Sequence, residues 1–504
     1  MKVTYSGTLN PTLGLERYPC DILLIGVTGP LDEHHIFRTL DSERSGVLTS
    51  LAALSDFQAK PGQLFLHPTP TSDHKLTLFF GLGSTVEDQR KAFSTALTKA
   101  KSLKGKAVVI ASVTRPDDSV DAVAAIYEVL GETIAAENHN PKTYKTEKSG
   151  YTAPQQFETV KIVGPKSHFP AMQNGVERGL VIGNAVNFAR DLAGEPANII
   201  TPSAFRDLAQ RVQAETRTTG AITCQAFDDR WMTEQNANGI LMVAKGSAEK
   251  PWLIQLTYTP KVATEASLDL IGKTVTFDSG GYDIKTSGMR EMKRDKTGGA
   301  NVLAAFQAIA TLNLPIKVRA YFAATENMIS GGACRPGDVF TTMSGRTIEI
   351  GNTDAEGRLT LVEALEYAQR QGAKFIVDMA TLTGAAKQVG GDVAPLAYGN
   401  DNLFSAKVVE AADTVGESIS LQPMLEAVRK YNESPIADVC NLPAAKGAGS
   451  MAAAWFIREW LWPDVSWVHM DIANVAWKND RATGHSVRTL IQLARKMAAA
   501  PAAA

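Results

Sequence analysis

Short apolar runs alternate with amphipathic stretches along the first third of the chain. Residues 21–27 (Asp-Ile-Leu-Leu-Ile-Gly-Val), 75–80, 106–112 and 157–163 read as strands, and the Ala-, Lys- and Leu-rich stretch 85–101 reads as a helix. This strand–helix–strand alternation predicts an α/β domain. Segment 138–156 is polar, without a period, and reads as an exposed loop. Gly81-Leu82-Gly83 lacks the further glycine spacing of a nucleotide fingerprint, so this domain's function is not legible. The Pro-flanked segment 165–170 marks a domain junction, dividing 1–168 from 169–504.

Beyond the junction a long amphipathic helix covers about 171–192 and stops at Ala193-Gly194-Glu195-Pro196. From Trp252 the alternation strengthens. Strand-like runs fall at 252–258, 267–272, 316–322, 375–379 and 467–472, with helical patterns over 301–312 and 359–370. Such apolar strands predict a sheet covered on both faces. The expected fold class is therefore α/β with two domains. The N-terminal domain is the smaller, and the larger C-terminal α/β domain holds a mixed, mostly buried central sheet. The Ala/Pro tail 498–504 predicts a disordered end.

Composition changes this picture little. At 504 residues the chain has material for two or more domains, and 44% hydrophobic with 21% charged residues is ordinary for a globular protein. A net charge of -2 gives no global pull toward nucleic acid or acidic membranes. The start of the chain shows no signal pattern, and no apolar run approaches a membrane-spanning length. Cys20, Cys224, Cys334 and Cys440 lie far apart without a C-x-x-C pair, which predicts reduced thiols and a cytoplasmic protein.

The chemistry concentrates in two stretches. Residues 351–359 (Gly-Asn-Thr-Asp-Ala-Glu-Gly-Arg-Leu) follow an apolar-alternating segment. If they are extended, Asp354 and Glu356 point the same way and Arg358 continues their face. Such a row suits hard divalent cations, with a guanidinium nearby for an anion; the plainer alternative is a surface turn with an internal salt bridge. The second stretch, 272–285, carries Asp278-Ser279-Gly280-Gly281 bracketed by Lys273 and Lys285, and Asp295 follows it. Four carboxylates with no neighbouring histidine cannot all stay ionised in a protein interior unless cations compensate them. Two divalent metals would do so. For Lys273 the residues alone favour a salt bridge to Asp278.

Val275-Thr276-Phe277-Asp278-Ser279-Gly280-Gly281 and the 352–359 stretch together resemble the cytosol (leucyl) aminopeptidase family. Residues 335–339, 378–385, 469–473 and 195–198 agree, and the resemblance covers about 175–490. It implies a di-metal peptidase domain that releases N-terminal amino acids, leucine-like ones preferred, from peptide substrates. It also implies two divalent ions per subunit, Zn²⁺ or Mn²⁺ with Mg²⁺ as an alternative. By the resemblance Asp278 and Glu356 bridge the metals, Lys273 and Asp295 complete the tighter site, and Asp354 completes the more exchangeable one. Lys285 stabilises the oxyanion, and Arg358 holds a bicarbonate acting as general base. Met292, Thr381 and Gly384 line the pocket for the first side chain, and Leu382 offers backbone contacts near the metals. A homohexamer is implied as well.

The chain departs from the family where Asp295-Lys296-Thr297-Gly298-Gly299 replaces the usual Asp-Met-Gly-Gly. This makes Asp295 the least secure ligand and predicts a positive charge from Lys296 beside the site. A competing reading is a hexameric DNA-binding or scaffold member with weakened peptidase activity. The altered loop and Lys142, Lys145 and Lys148 motivate it; the net charge does not.

Overall fold

The computed structural model describes residues 1–8, 19–29, 33–43, 45–69, 75–111, 113–114, 117–262, 264–443 and 447–499. They form two compact units, 1–187 and 188–504, and the division falls inside the long helix Phe169–Gly194.

The first unit is built on a six-stranded sheet in the order Lys2–Thr8, Thr159–Pro165, Ala107–Ala111, Ile22–Val27, Leu76–Gly81, Leu64–Pro68. Neighbours run parallel except at the edge, where Leu64–Pro68 is antiparallel. Successive side chains of a strand point to opposite faces, and here both faces are buried. Ile22, Leu24, Val108 and Ile110 enter one core with Phe93 and Tyr127, while Leu23, Ile25, Val27 and Val109 enter another with Phe37. That two-sided burial is why the strands read as continuous apolar runs. Segment 138–156 is mostly exposed, with a single 3-10 turn at Glu147–Ser149.

The second unit holds an eight-stranded mixed sheet. Its order is Ser420–Leu421, Leu396–Gly399, Ser466–Asp471, Phe375–Ala380, Ser267–Asp278, Lys317–Asn327, Trp252–Thr259, Ala221–Phe227. The four central strands are mutually parallel, and almost every position of Ser267–Asp278 is buried. The run predicted over 267–272 thus continues to Asp278. The helix expected over 301–312 is Thr297–Thr311, and the one expected over 359–370 is Glu356–Arg370. Of the tail, Ala498 and Ala499 close the helix Val487–Ala499 instead of being disordered, because Leu493, Ala494 and Met497 anchor its last turns in the core; 500–504 lie outside the described residues. Among the described residues no helix is long and apolar enough to cross a membrane.

Candidate metal centre and active site

The four parallel strands Ser267–Asp278, Lys317–Asn327, Phe375–Ala380 and Ser466–Asp471 all end on one side of the sheet, the side where open α/β sheets gather their functional loops. Lys273 lies within the first of them and is buried. Its Nζ is 2.8 Å from Asp295 Oδ1, 2.8 Å from Glu356 Oε1, and donates to the Thr381 carbonyl at 3.0 Å. Asp295 arrives from the 3-10 helix Met289–Lys296, and the Thr381 hydroxyl donates to its Oδ1 at 2.8 Å. Glu356 opens the helix Glu356–Arg370.

Asp278 closes its strand. Its Oδ1 accepts from Gly280 N at 2.9 Å and from Asn327 Nδ2 at 2.8 Å; its Oδ2 pairs with Lys285 Nζ at 2.7 Å. Asn327 is the register partner of Asp278 on the adjacent strand, which is how it reaches the carboxylate. Gly280 has φ 88, and a β-carbon there would lie 2.5 Å from the Asp283 carbonyl, so the reversal after Asp278 requires glycine. The reversed chain carries Lys285 back to pair with both Asp278 and Asp354. Asp283 secures the turn by accepting from Thr353 N at 2.8 Å.

Electrostatics follow from this crowding. Burial raises the Asp278 carboxyl to about 7, with Glu356 adding to the rise and Lys285 and Lys273 opposing it. Burial also raises Asp295 and Glu356 against the pull of Lys273. Burial on its own lowers a lysine, but the carboxylates of Asp295, Glu356 and Asp278 outweigh it at Lys273 and hold that amine above the ordinary range. Lys285 is raised against its burial in the same way, chiefly by Asp278 and Glu356.

The donor set fits a divalent cation. Asp278, Asp295 and Glu356 offer oxygens within 4.8 Å of one another. Asp295 Oδ2 and Glu356 Oε2 are buried with no hydrogen-bond partner among the described residues. Buried acceptors are ordinarily satisfied, so two orphaned carboxylate oxygens in one cluster are where a hard cation belongs.

Two sequence expectations need correction. Residues 354–358 are not an extended row, because the helix begins at Glu356 and turns Arg358 away from Asp354. Arg358 is buried, donates from Nη1 to the Asn441 carbonyl at 2.9 Å, and lies 5.8 Å from the centre of the Phe456 ring. Its Nε has no partner among the described residues, and burial lowers its pKa to about 10, which leaves it charged at neutral pH. Nor does Lys296 place a fixed charge among the carboxylates. It is fully buried, its amine donates to the Glu195 and Lys293 carbonyls at 2.7 Å each, and burial with the nearby Lys293 charge lowers it to about 7.

Of the remaining predicted positions, Thr381 touches both Lys273 and Asp295. Leu382 N donates to Asp471 Oδ1 at 3.2 Å. Gly384 adjoins open space, and Met292 is half-buried on the 3-10 helix. Asn327, Thr353, Asp283 and Asp471 support the cluster without having been singled out for that role from sequence. Of these, Asn327 has its signal only in strand pairing, while Asp471 lies in the 469–473 stretch of the resemblance.

Fold and cluster together define a two-unit α/β protein with a buried carboxylate–lysine centre suited to divalent cations. The model of the cytosol aminopeptidase family catalytic domain matches residues 187–491, and that of the family's N-terminal domain matches 24–148. A probable cytosol aminopeptidase of Solibacter usitatus is 40% identical over 405 residues, 79% of this chain and 80% of its own. Among solved structures, a variant of tomato leucine aminopeptidase matches with a TM-score of 0.87 at 28% identity, covering 98% of this chain and 96% of its own. The bottromycin maturation enzyme BotP in complex with Mn matches with a TM-score of 0.81 at 29% identity, covering 95% of this chain and 99% of its own. The chain belongs to the cytosol aminopeptidase family.

Proposed function

We propose that this protein is a metal-dependent aminopeptidase that releases N-terminal amino acids, leucine-like ones preferred, from peptides. The observation that carries this reading is the buried Asp278–Asp295–Glu356 cluster with its two orphaned oxygens, in a chain whose family is that of aminopeptidases. Asp278, Asp295 and Glu356, with Lys273 and Asp354, would hold two divalent ions, Zn²⁺ or Mn²⁺ with Mg²⁺ as an alternative. Arg358 would hold a bicarbonate through its guanidinium. When bound, these groups supply Lewis acidity, an activated water and a proton acceptor.

The chain's own residues do the rest. Lys285 is the more exposed of the two lysines, with 16% of its side chain accessible against 3% for Lys273. It keeps its proton at neutral pH and donates to the oxygen on which negative charge develops. Asn327 and the Gly280 N–H orient Asp278, and Thr381 orients Asp295. Met292, Thr381, Leu382 and Gly384 face the first residue of the substrate in this reading. A homohexamer in the cytoplasm belongs to the same reading, and light scattering behind size-exclusion chromatography checks the assembly. The DNA-binding alternative gains no support from the comparisons.

The test is hydrolysis of leucine anilide before and after chelation, with Mn²⁺, Zn²⁺ or Mg²⁺ restored. Turnover that is lost on chelation, regained with metal and absent in Asp354→Ala supports the reading. A folded protein inactive with every metal overturns it.

A further inference from the structure

The turn 351–355 carries Asp354, and neither helix nor strand shapes it. Backbone N–H groups outside regular structure must find other partners, and here side chains supply most of them. Gly351 N donates to Asn441 Oδ1 at 2.8 Å, and Asn352 N donates to the same oxygen at 3.1 Å. Thr353 N donates to Asp283 Oδ2 at 2.8 Å, and Asp354 N donates to Asn352 Oδ1 at 2.6 Å. Only Ala355 N returns to the backbone, at the Asn352 carbonyl, just before the helix starts at Glu356.

Asn441 supplies the largest share of these bonds. It is fully buried and follows the short strand Val439–Cys440, which pairs in parallel with Thr347–Glu349. Strand register thus brings it beside the turn, and its own N donates to the Glu349 carbonyl at 3.2 Å. Its Nδ2 donates to the Asn352 carbonyl at 2.7 Å and to the Ala355 carbonyl at 3.3 Å. Two bonds accepted and two donated fill a carboxamide, and all of them go to the turn. Its backbone carbonyl accepts from Arg358 Nη1. Gly351 makes the close fit possible, since a β-carbon there would lie 2.6 Å from Cys440 Sγ and 2.6 Å from Leu442 Cβ.

We propose that Asn441 is a positioning residue for the more exchangeable metal ion: its side chain fixes the turn that presents Asp354. It leaves the tighter ion alone, because none of its side-chain bonds reaches Lys273 or Asp295. The inference rests on the two-metal reading given above. Asparagine is required because an aspartate of the same shape keeps the acceptors, loses both donors and sets a carboxylate against two carbonyls.

The experiment is a titration of the chelated, dialysed full-length protein with Mn²⁺, the free ion being read by electron paramagnetic resonance. The parent should bind two ions, in a tight and a weak step. Asn441→Asp should weaken the weak step by about 10–100-fold, the effect of losing a partner that orients a ligand, and leave the tight step within about twofold. The Mn²⁺ concentration giving half-maximal anilide turnover should rise by the same factor, and saturating Mn²⁺ should restore most of the turnover. Asn352→Ala cuts the bond to Asp354 N with Asn441 still in place. It should reproduce the selective loss, and it carries the test if Asn441→Asp does not fold. Both steps weakened alike would mean a merely structural role and overturn the proposal. An unchanged weak step, in a parent that binds two ions, would also overturn it and leave the peptidase reading intact. A parent that binds no Mn²⁺ would overturn the two-metal reading and this inference with it.

Discussion

Gly357 and Lys273 fit against each other with no space between them. A β-carbon at position 357 would lie 2.6 Å from Lys273 Cε and 2.7 Å from its Nζ. Position 357 is in the first turn of the helix Glu356–Arg370, where alanine ordinarily strengthens a helix by up to about 1 kcal/mol. The requirement for glycine therefore comes from the lysine. Because Asp295 and Glu356 hold the Lys273 head from two sides, Gly357→Ala must displace it from at least one of them. Turnover of leucine anilide should fall by about tenfold or more while the melting temperature stays nearly constant. An alanine variant with full turnover would show that the lysine position is not needed.

Lys285 joins the two halves of the cluster by pairing with Asp278 and Asp354 at once. Lys285→Met removes the more exposed of the two cluster amines and leaves Asp278 and Asp354 facing each other without it. If the charge acts on the transition state, kcat should fall by about 10²–10³ with KM little changed. Steady-state kinetics decide this. A rise in KM at constant kcat would assign Lys285 to ground-state binding instead.

These positions also show what a sequence can and cannot disclose. The stretches around Asp278 and Glu356 were legible because each packs its ligands and glycines into a few consecutive residues. The central strands were legible because a two-faced burial leaves unbroken apolar runs, as in Ile22–Val27. Helix Val120–Glu137 was not, since Val123, Tyr127, Val129, Leu130 and Ile134 are buried around much of its circumference and blur the helical period. The edge strand Ala221–Phe227 alternates half-buried and exposed positions with little apolar weight, and it too went unread. Asn327 meets Asp278 only through strand register. The bend that starts a helix at Glu356 has no side-chain cap on Ala355 to announce it.

Asp471 holds up the loop that faces the cluster. Fully buried, it accepts from Leu382 N at 3.2 Å, Thr383 N at 3.4 Å, Thr383 Oγ1 at 2.6 Å and Ser450 Oγ at 3.1 Å. The preceding residue, Thr381, meets Lys273 and Asp295. Asp471→Asn keeps the shape but turns an NH₂ toward donors, at a cost of about 1–3 kcal/mol. Both the melting temperature and turnover should drop, with turnover recovering in part at higher metal concentration if the loop acts by placing Asp295. Parent-like stability would remove this carboxylate from the account.

Glu363 offers a test of pH dependence away from the cluster. It is completely buried, accepts from Gly239 N at 2.7 Å and Met343 N at 3.0 Å, and burial raises its carboxyl to about 8 despite those bonds. An unperturbed glutamate titrates near 4.5. Between these two values the folded chain holds a proton that the unfolded chain has released, so this group makes stability fall as pH rises. The contribution is fully present below about 4.5 and is lost as pH climbs through about 8, with a slope near 1.4 kcal/mol per pH unit. Glu363→Gln is an isostere of the protonated acid and should flatten that slope. Denaturant midpoints of parent and variant should thus converge toward pH 5, and near pH 8 the variant should lose less stability relative to its own pH 5 value. Parallel pH curves would mean that the two backbone N–H groups keep Glu363 ionised throughout.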